Sequence, residues 1–315
     1  MWLLFHVMST VALPKLTCRG YELDLSAAAF GQLRRSDDIT GDGGACRERM
    51  REDGYLFLPG LLDVEQVLAA RAGVIDRLAA RGWIDETQPR MEGVAKPGGA
   101  SFMPEILVRE NKPLLDLLYT GAMLEFYGRF LGGEVRHFDY TWFRSVPGGE
   151  MGTQPHCDIV YMGRGTFNLF TSWTPIGEVP MELGGLMILE NSHRQQEKLK
   201  KYLSRDVDAY CRNYPDGAAI ESGSKQWQNW DGRLSSNPVT LREKLGGRWL
   251  TTNFAAGDVL VFSMATVHTS LDNQTNRYRL SSDSRHQLAS EPADERWIGE
   301  NPIAHGAAGK RGKIC

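Results

Sequence analysis

Apolar and polar positions change rhythm near residue 134. Upstream, apolar residues recur at three- and four-residue intervals; downstream, they come in short alternating runs. Residues 1–45 end in "RRSDDITGDGGA", polar and glycine-rich, which reads as a mobile lead-in. "CRERMREDG" is a charged helix closed by Gly54, and "YLFLP" a short strand stopped by Pro59. Asp63 can then N-cap a helix in which Val67, Leu68, Ala70, Arg71, Val74, Ile75 and Leu78 follow helical spacing, until Gly82 ends it. Residues 104–132 are helical by the same criterion.

From "EVRHFDYTWFRSVP" onward the pattern is that of strands, with aromatic and β-branched runs broken by Gly and Pro. "GTFNLFTSWTPI", "GGLMILENS", "GDVLVFSMATVHTSL" and "YRLSSDSRHQ" are examples. Helices first and many short strands later predict a mainly β fold, a sandwich or barrel supported by N-terminal helices. Residues 194–250 are polar and lose periodicity after a helical start, which reads as an insertion or lid. The expected organisation is a lead-in over 1–45, one domain over 46–290 and a C-terminal tail over 291–315.

Composition narrows the class. The chain has 315 residues, is 42% hydrophobic and 24% charged, and carries a net charge of −3. A pI near 6.2 leaves no electrostatic footprint for nucleic acid. Glycine, at 34 residues, exceeds the usual roughly 7% and suits a loop-rich β architecture. The five cysteines are odd in number, scattered and without CxxC spacing, so neither a disulfide framework nor a thiolate zinc site is expected. The opening "MWLLFHVMSTVALP" is apolar, lacks a basic flank and is too short to span a bilayer. A cleaved signal and a start at Met8 both stay open, and a soluble cytoplasmic protein without membrane contact is the default expectation.

Candidate chemistry begins in "QPHCDIVYMG". On a strand, His156 and Asp158 would share one face and bring an imidazole nitrogen and a carboxylate oxygen to one point, with Cys157 opposite. That is two-thirds of the two-histidine, one-carboxylate set that holds non-haem Fe(II). His268, near the end of the run after the Gly257-Asp258 turn, is the third candidate; taken alone it reads equally well as a core histidine. In "NRYRLSSDSR", alternation puts Arg279, Ser281, Asp283 and Arg285 on one face. An inward arginine is costly unless an anion meets it. A dicarboxylate held by the metal at one end and by Arg279 and Ser281 at the other would supply that anion.

His156-x-Asp158, a β-rich gap, His268, then Arg279 and Ser281 resemble the phytanoyl-CoA dioxygenase family of Fe(II)/2-oxoglutarate oxygenases. "MREDGYLFLPGLLDVEQV" is similar to that family's opening helix–strand–helix, and "TSWTPIGEVPMELGGLMILENSH" to its central strands. The resemblance spans roughly residues 46–290, with 194–250 unmatched. It implies a double-stranded β-helix, or jelly-roll, core of the cupin kind. It also implies metal ligation by His156, Asp158 and His268, with the remaining positions taken by 2-oxoglutarate and O2. Ser270 is placed near 2-oxoglutarate by the same resemblance, and Trp173 either walls that pocket or belongs to the core. Asn191 departs from it, standing where glycine is usual. In related halogenases a small residue replaces the carboxylate, so Asp158 favours hydroxylation of a small-molecule substrate with release of succinate and CO2. The rival readings are a cupin-type enzyme that does not use 2-oxoglutarate and a non-catalytic small-molecule binder.

Other candidates have plainer readings. Tyr140 and Trp142 share a face of the "HFDYTWF" run, where they either face the cavity or fill the core. By resemblance His193 belongs to a structural turn. His137, His286 and His305 have no partner at ligand spacing. Lys198, Lys200, Lys201 and Arg205 read better as a solvated helix face than as a phosphate site. Trp227 and Trp230 either pack the insertion down or close over substrate.

Overall fold

The computed structural model describes residues 15–98, 104–225 and 230–315. The expectations for residues 1–14 and for Trp227 lie outside the described residues. The described chain opens with a hairpin, β1 (Thr17–Cys18) and β2 (Tyr21–Glu22). Its turn residues Arg19 and Gly20 have φ values of 55° and 79°. The Asp272 carboxylate accepts both of their amides, at 2.7 and 2.8 Å. β3 (Phe30–Gln32) follows. The lead-in is therefore not loose from residue 15 onward: β3 is a parallel edge strand, and Leu16, Cys18, Leu23 and Leu33 are buried. Its polar composition hid partners that come from the far end of the sequence.

α1 (Gly43–Asp53) is capped by the Asp42 side chain and closed by Gly54 in the left-handed region. β4 (Tyr55–Leu58) leads to α2 (Val64–Ala79), where Asp63 accepts from the Gln66 amide. α2 buries Val67, Ala70, Val74, Ile75 and Leu78 of the expected stripe, but Leu68 is exposed and Arg71 only half-buried. The expected helical region 104–132 is broken into α3 (Pro104–Val108), α4 (Lys112–Tyr119) and α5 (Gly121–Leu131). Glu110 at φ 57° separates the first two, and extended Thr120 separates the second pair.

Then come β5 (Val135–His137), β6 (Trp142–Val146), α6 (Ile159–Met162), β7 (Phe170–Pro175) and β8 (Leu186–Leu189). The insertion contributes α7 (Gln196–Leu203), β9 (Ala209–Cys211), α8 (Gly217–Glu221) and α9 (Pro238–Leu245). β10 (Trp249–Thr251), β11 (Val259–Ser263), β12 (His268–Ser270), β13 (Arg279–Leu288) and β14 (Arg311–Lys313) complete the chain.

Two sheets face each other in an open jelly roll. The larger has the order β4-β11-β7-β13-β5, with β6 also paired to β13; the smaller has the order β12-β8-β10-β3. Both faces of the larger sheet are covered; β4 and β11 are accordingly apolar almost throughout, whereas β13 is buried but mostly polar. Tyr55, Phe57, Trp173, Leu260 and Phe262 point inward against Leu186, Ile188 and Leu250 of the smaller sheet. Leu56, Leu58, Val259 and Val261 point outward against the helical layer of α2, α4 and α5.

The outer face of the smaller sheet explains the insertion. Leu199 of α7 and Leu241 and Leu245 of α9 pack on Met187, Leu189 and Trp249. α7 and α9 thus cover the smaller sheet, and β10 is a core strand. Residues 231–234 do lie on the loop bearing His156. The Leu234 amide donates to the Pro155 carbonyl at 2.8 Å, and the Tyr161 and Tyr202 hydroxyls donate to the carbonyls of Asp231 and Gly232.

The C-terminal segment is likewise no free tail. Asp294, Arg296 and Trp297 are fully buried. Arg296 bonds Asp294 and, at 2.7 Å, Asp208, while Lys310 and His305 also bond Asp208. β14 pairs in parallel with β9, and Cys211 and Cys315 form a disulfide. The sequence reading expected none, because a pairing across 104 residues leaves no spacing signature. Cys18, Cys46 and Cys157 are buried free thiols.

Candidate active site

His156 and His268 form a bridged antiparallel pair, their amides donating reciprocally to each other's carbonyls at 3.1 and 3.0 Å. This places the two rings with centroids 4.2 Å apart. Asp158 does not continue a strand: its backbone is helical (φ −65°, ψ −25°) and it opens α6. The expected convergence of His156 and Asp158 arises instead from one bridging residue followed by a helical turn. Cys157 faces away into the core, as alternation required.

The ligand atoms meet. Asp158 Oδ1 lies 3.7 Å from His156 Nε2 and 3.7 Å from His268 Nε2, and the candidate donor atoms are all within 4.8 Å of one another. Each imidazole is oriented from behind: His156 Nδ1 donates to the Gln154 carbonyl at 2.6 Å and His268 Nδ1 to the Thr266 carbonyl at 3.1 Å. These acceptors put the ring proton on Nδ1 and leave the Nε2 lone pairs facing each other and Asp158. Burial pushes His156 down to about 3 and lowers His268 too, so both rings are neutral at physiological pH, as a metal requires. For Asp158, burial is the largest influence and would raise the carboxyl, but the Arg285 guanidinium, His268, His156 and the Thr171 hydrogen bond together outweigh it and hold it well below the usual range.

Arg285 is the residue that the sequence reading left without a role. Its Nη2 donates to Asp158 Oδ2 at 3.0 Å, and its guanidinium stacks on Trp142 with its carbon 4.0 Å from the ring centroid. Thr171, its cross-strand partner on β7, donates to the same oxygen. Together they occupy Oδ2 and leave Oδ1 to the histidines. Alternation had placed Arg285 on the Arg279 face, but only the β13–β7 register shows what it meets.

Arg279 is 2% exposed and donates from Nη1 to Ser281 Oγ at 2.8 Å, while its Nε has no partner among the described residues. A buried guanidinium with an idle donor is costly unless an anion completes it. The cavity it faces is also lined by Arg144, Thr153, Trp173, Leu186, Ser270, Asp283 and Arg285, together with both histidines. Trp173 is therefore both core and cavity wall. Ser270 accepts from the Thr153 amide at 2.8 Å. Tyr140 instead packs on Trp142 and Trp297, at 4.6 and 5.5 Å between centroids, and does not line this cavity. The donor set fits iron: two neutral imidazoles and one carboxylate oxygen at a common point, beside a buried cation suited to a dicarboxylate.

The other histidines among the described residues have structural partners. His193 Nε2 meets the Arg51 carbonyl, and its ring lies so close under Gly54 that a Cβ there would fall 2.4 Å from Nδ1. His286 is fully buried, stacked on Tyr127. His137 stacks on Tyr119, and His305 bonds Asp208. Asn191 takes φ 58°, a left-handed conformation that asparagine tolerates where glycine is otherwise favoured. Lys198, Lys200, Lys201 and Arg205 are exposed, and Arg205 lies over the Trp230 ring.

Fold and donor set together define a jelly-roll oxygenase of the iron- and 2-oxoglutarate-dependent class. Residues 50–281 match the phytanoyl-CoA dioxygenase (PhyH) family model, and the chain belongs to that family. It is similar to 1-deoxypentalenic acid 11-beta-hydroxylase of Streptomyces exfoliatus, 24% identical over 248 residues, covering 76% of this chain and 79% of the relative. Among solved structures it resembles the epimerase SnoN in complex with Fe3+, alpha ketoglutarate and nogalamycin RO. That match has TM-score 0.53 and 19% identity, covering 84% of this chain and 94% of SnoN. It also resembles EctD from S. alaskensis with 2-oxoglutarate and 5-hydroxyectoine, with TM-score 0.54 and 14% identity, covering 97% of each chain. The protein is an oxidoreductase whose cofactors are iron and 2-oxoglutarate. No helix among the described residues is long and apolar enough to cross a membrane.

Proposed function

We propose that this oxygenase hydroxylates an unactivated C–H bond of a small-molecule substrate: substrate, 2-oxoglutarate and O2 give hydroxylated substrate, succinate and CO2. The observation that carries the reading is the convergence of His156 Nε2, His268 Nε2 and Asp158 Oδ1 beside the buried, incompletely bonded Arg279. The hydroxylase relative supports hydroxylation as the outcome, and its substrate is a small organic acid by name. Asp158 completes the carboxylate position.

The bound iron, with 2-oxoglutarate and O2, supplies the oxidising chemistry. His156 and His268 hold the metal through Nε2, each ring fixed by its Nδ1–H on a backbone carbonyl. Asp158 contributes one oxygen and one negative charge, kept in place by Arg285 and Thr171. Arg279 and Ser281 receive the distal carboxylate of 2-oxoglutarate, and Trp173 and Leu186 wall the same cavity and exclude water. Ser270 steadies the Thr153 turn at its edge.

The test is turnover of 2-oxoglutarate by iron-loaded protein under isotopically heavy O2. Succinate carrying one heavy oxygen atom, formed by wild type and abolished in H268A, supports the reading. No succinate at any iron or 2-oxoglutarate concentration contradicts it.

A further inference from the structure

A second cavity, of about 170 Å³, lies beside α6 and shares no lining residue with the metal site. Its cations come from three distant stretches of the chain: Arg164 just after α6, Arg205 just after α7, and Arg311 and Lys313 on β14. Alternation puts Arg311 and Lys313 on one face of β14. Pairing with β9 and the Cys211–Cys315 disulfide hold that strand in place.

The carboxylates next to this cavity are already matched. Asp206 pairs with Arg164 at 2.9 Å, Asp208 with Lys310 at 2.6 Å, and Asp294 with Arg296. Asp206 is the one carboxylate among the described lining residues, and both its oxygens are taken, Oδ2 by Arg164 Nε and Oδ1 by the Asp208 amide. Arg205, Arg311 and Lys313 make no ion pair among the described residues. Three positive charges therefore gather here without a counter-charge, in a chain whose net charge is −3.

A buried donor stands with them. The Arg164 side chain is 10% exposed, its Nε is spent on Asp206, and its Nη2 is buried with no partner. An idle guanidinium donor at that depth is costly unless an anion completes it. Arg205 lies with its guanidinium carbon 3.5 Å from the Trp230 ring centroid, a contact through the flat face that leaves the N–H edge free.

We propose that this cavity binds a phosphate-type oxoanion, with Arg164 as the buried donor and Arg205, Arg311 and Lys313 around it. A tetrahedral oxoanion accepts from several directions at once, which suits cations arriving from three elements. The volume admits one such anion with attached water. Phe167, 69% exposed, lines the same cavity, where it meets the organic part of a phosphate monoester.

The test is equilibrium dialysis of radiolabelled inorganic phosphate against the full-length apoprotein, at constant ionic strength in chloride. Wild type is expected to bind saturably, with a Kd of about 1 mM or tighter. R311Q/K313Q, which changes two exposed side chains, should weaken binding about 10-fold or more, the consequence of losing charged hydrogen bonds. R164M should do the same, and the surface pair carries the test if that variant does not fold. R279A, in the metal cavity, should leave binding in place. Phenyl phosphate separates the sources of the anion: tighter binding than phosphate, with the gain lost in F167A, marks an organic monoester, and equal binding marks free phosphate. No saturable binding, or binding that survives R311Q/K313Q, overturns the site. Binding lost in R279A also overturns it, because the anion then sits in the metal cavity.

Discussion

Arg285 reaches across from β13 to hold Asp158 Oδ2 at 3.0 Å, so the carboxylate presents its other oxygen to His156 and His268. The two residues are 127 positions apart in sequence and both almost fully buried. The orientation of the Asp158 carboxylate is thus set from behind the candidate donor atoms.

Removing that guanidinium should loosen the metal. R285M is expected to weaken Fe(II) binding about 10- to 100-fold, the usual effect of losing a group that orients a ligand. Without metal it should also cost about 3–5 kcal/mol, because a buried carboxylate loses its partner. Anaerobic calorimetric titration and urea unfolding of the apoprotein measure the two effects. Unchanged iron affinity would show that Asp158 needs no orienting partner.

His286 supplies a prediction about pH. Burial pushes its pKa from 6.5 down to about 3, with His137 adding to the effect. The unfolded chain therefore binds a proton that the folded chain refuses. The stability contributed by neutral His286 is fully present above pH 6.5 and is lost progressively as pH falls toward 3. H286F keeps the stacking on Tyr127 and removes the titration, so its apoprotein should lose stability less steeply below pH 6.5. The difference should approach about 1.4 kcal/mol per pH unit. Chemical denaturation at a series of pH values measures this, and parallel curves for the two proteins would refute it.

The C-terminal segment should prove part of the fold. R296M leaves the buried carboxylates of Asp208 and Asp294 without their shared cation and is expected to cost about 3–5 kcal/mol. C211S should remove a further 2–5 kcal/mol or so, typical for a native cross-link. Thermal unfolding and non-reducing peptide mapping test both. A chain ended at residue 290 that unfolds like the full chain would show the segment to be dispensable.

Local signals made much of this protein legible in its sequence. The caps at Asp63 and Gly54 depend only on neighbours and formed as read, as did the stripe along α2 except at exposed Leu68. The alternation that put Arg279 and Ser281 on one face with Arg285 is also local, and the hydrogen bond between Arg279 and Ser281 follows from it. What stayed hidden was set by pairing at a distance. The role of Arg285 depends on the register of β13 against β7, and the order in residues 15–42 on β10. The burial of Arg296 depends on Asp208, in an insertion that looked irregular. Polar residues that satisfy one another inside the fold look, in sequence, like polar residues that face water.

The central claim is that one iron and one 2-oxoglutarate share this cavity, anchored at opposite ends by the two histidines with Asp158 and by Arg279. Anaerobic titration of apoprotein with Fe(II) and then 2-oxoglutarate, followed through the weak visible band of the chelate, tests it most directly. Wild type should develop the band and H268A should not. R279A should develop it only at 2-oxoglutarate concentrations higher by a factor on the order of 100, the consequence of losing a buried charge partner. Iron binding without any band in wild type, or an R279A titration that overlays wild type, would contradict the account.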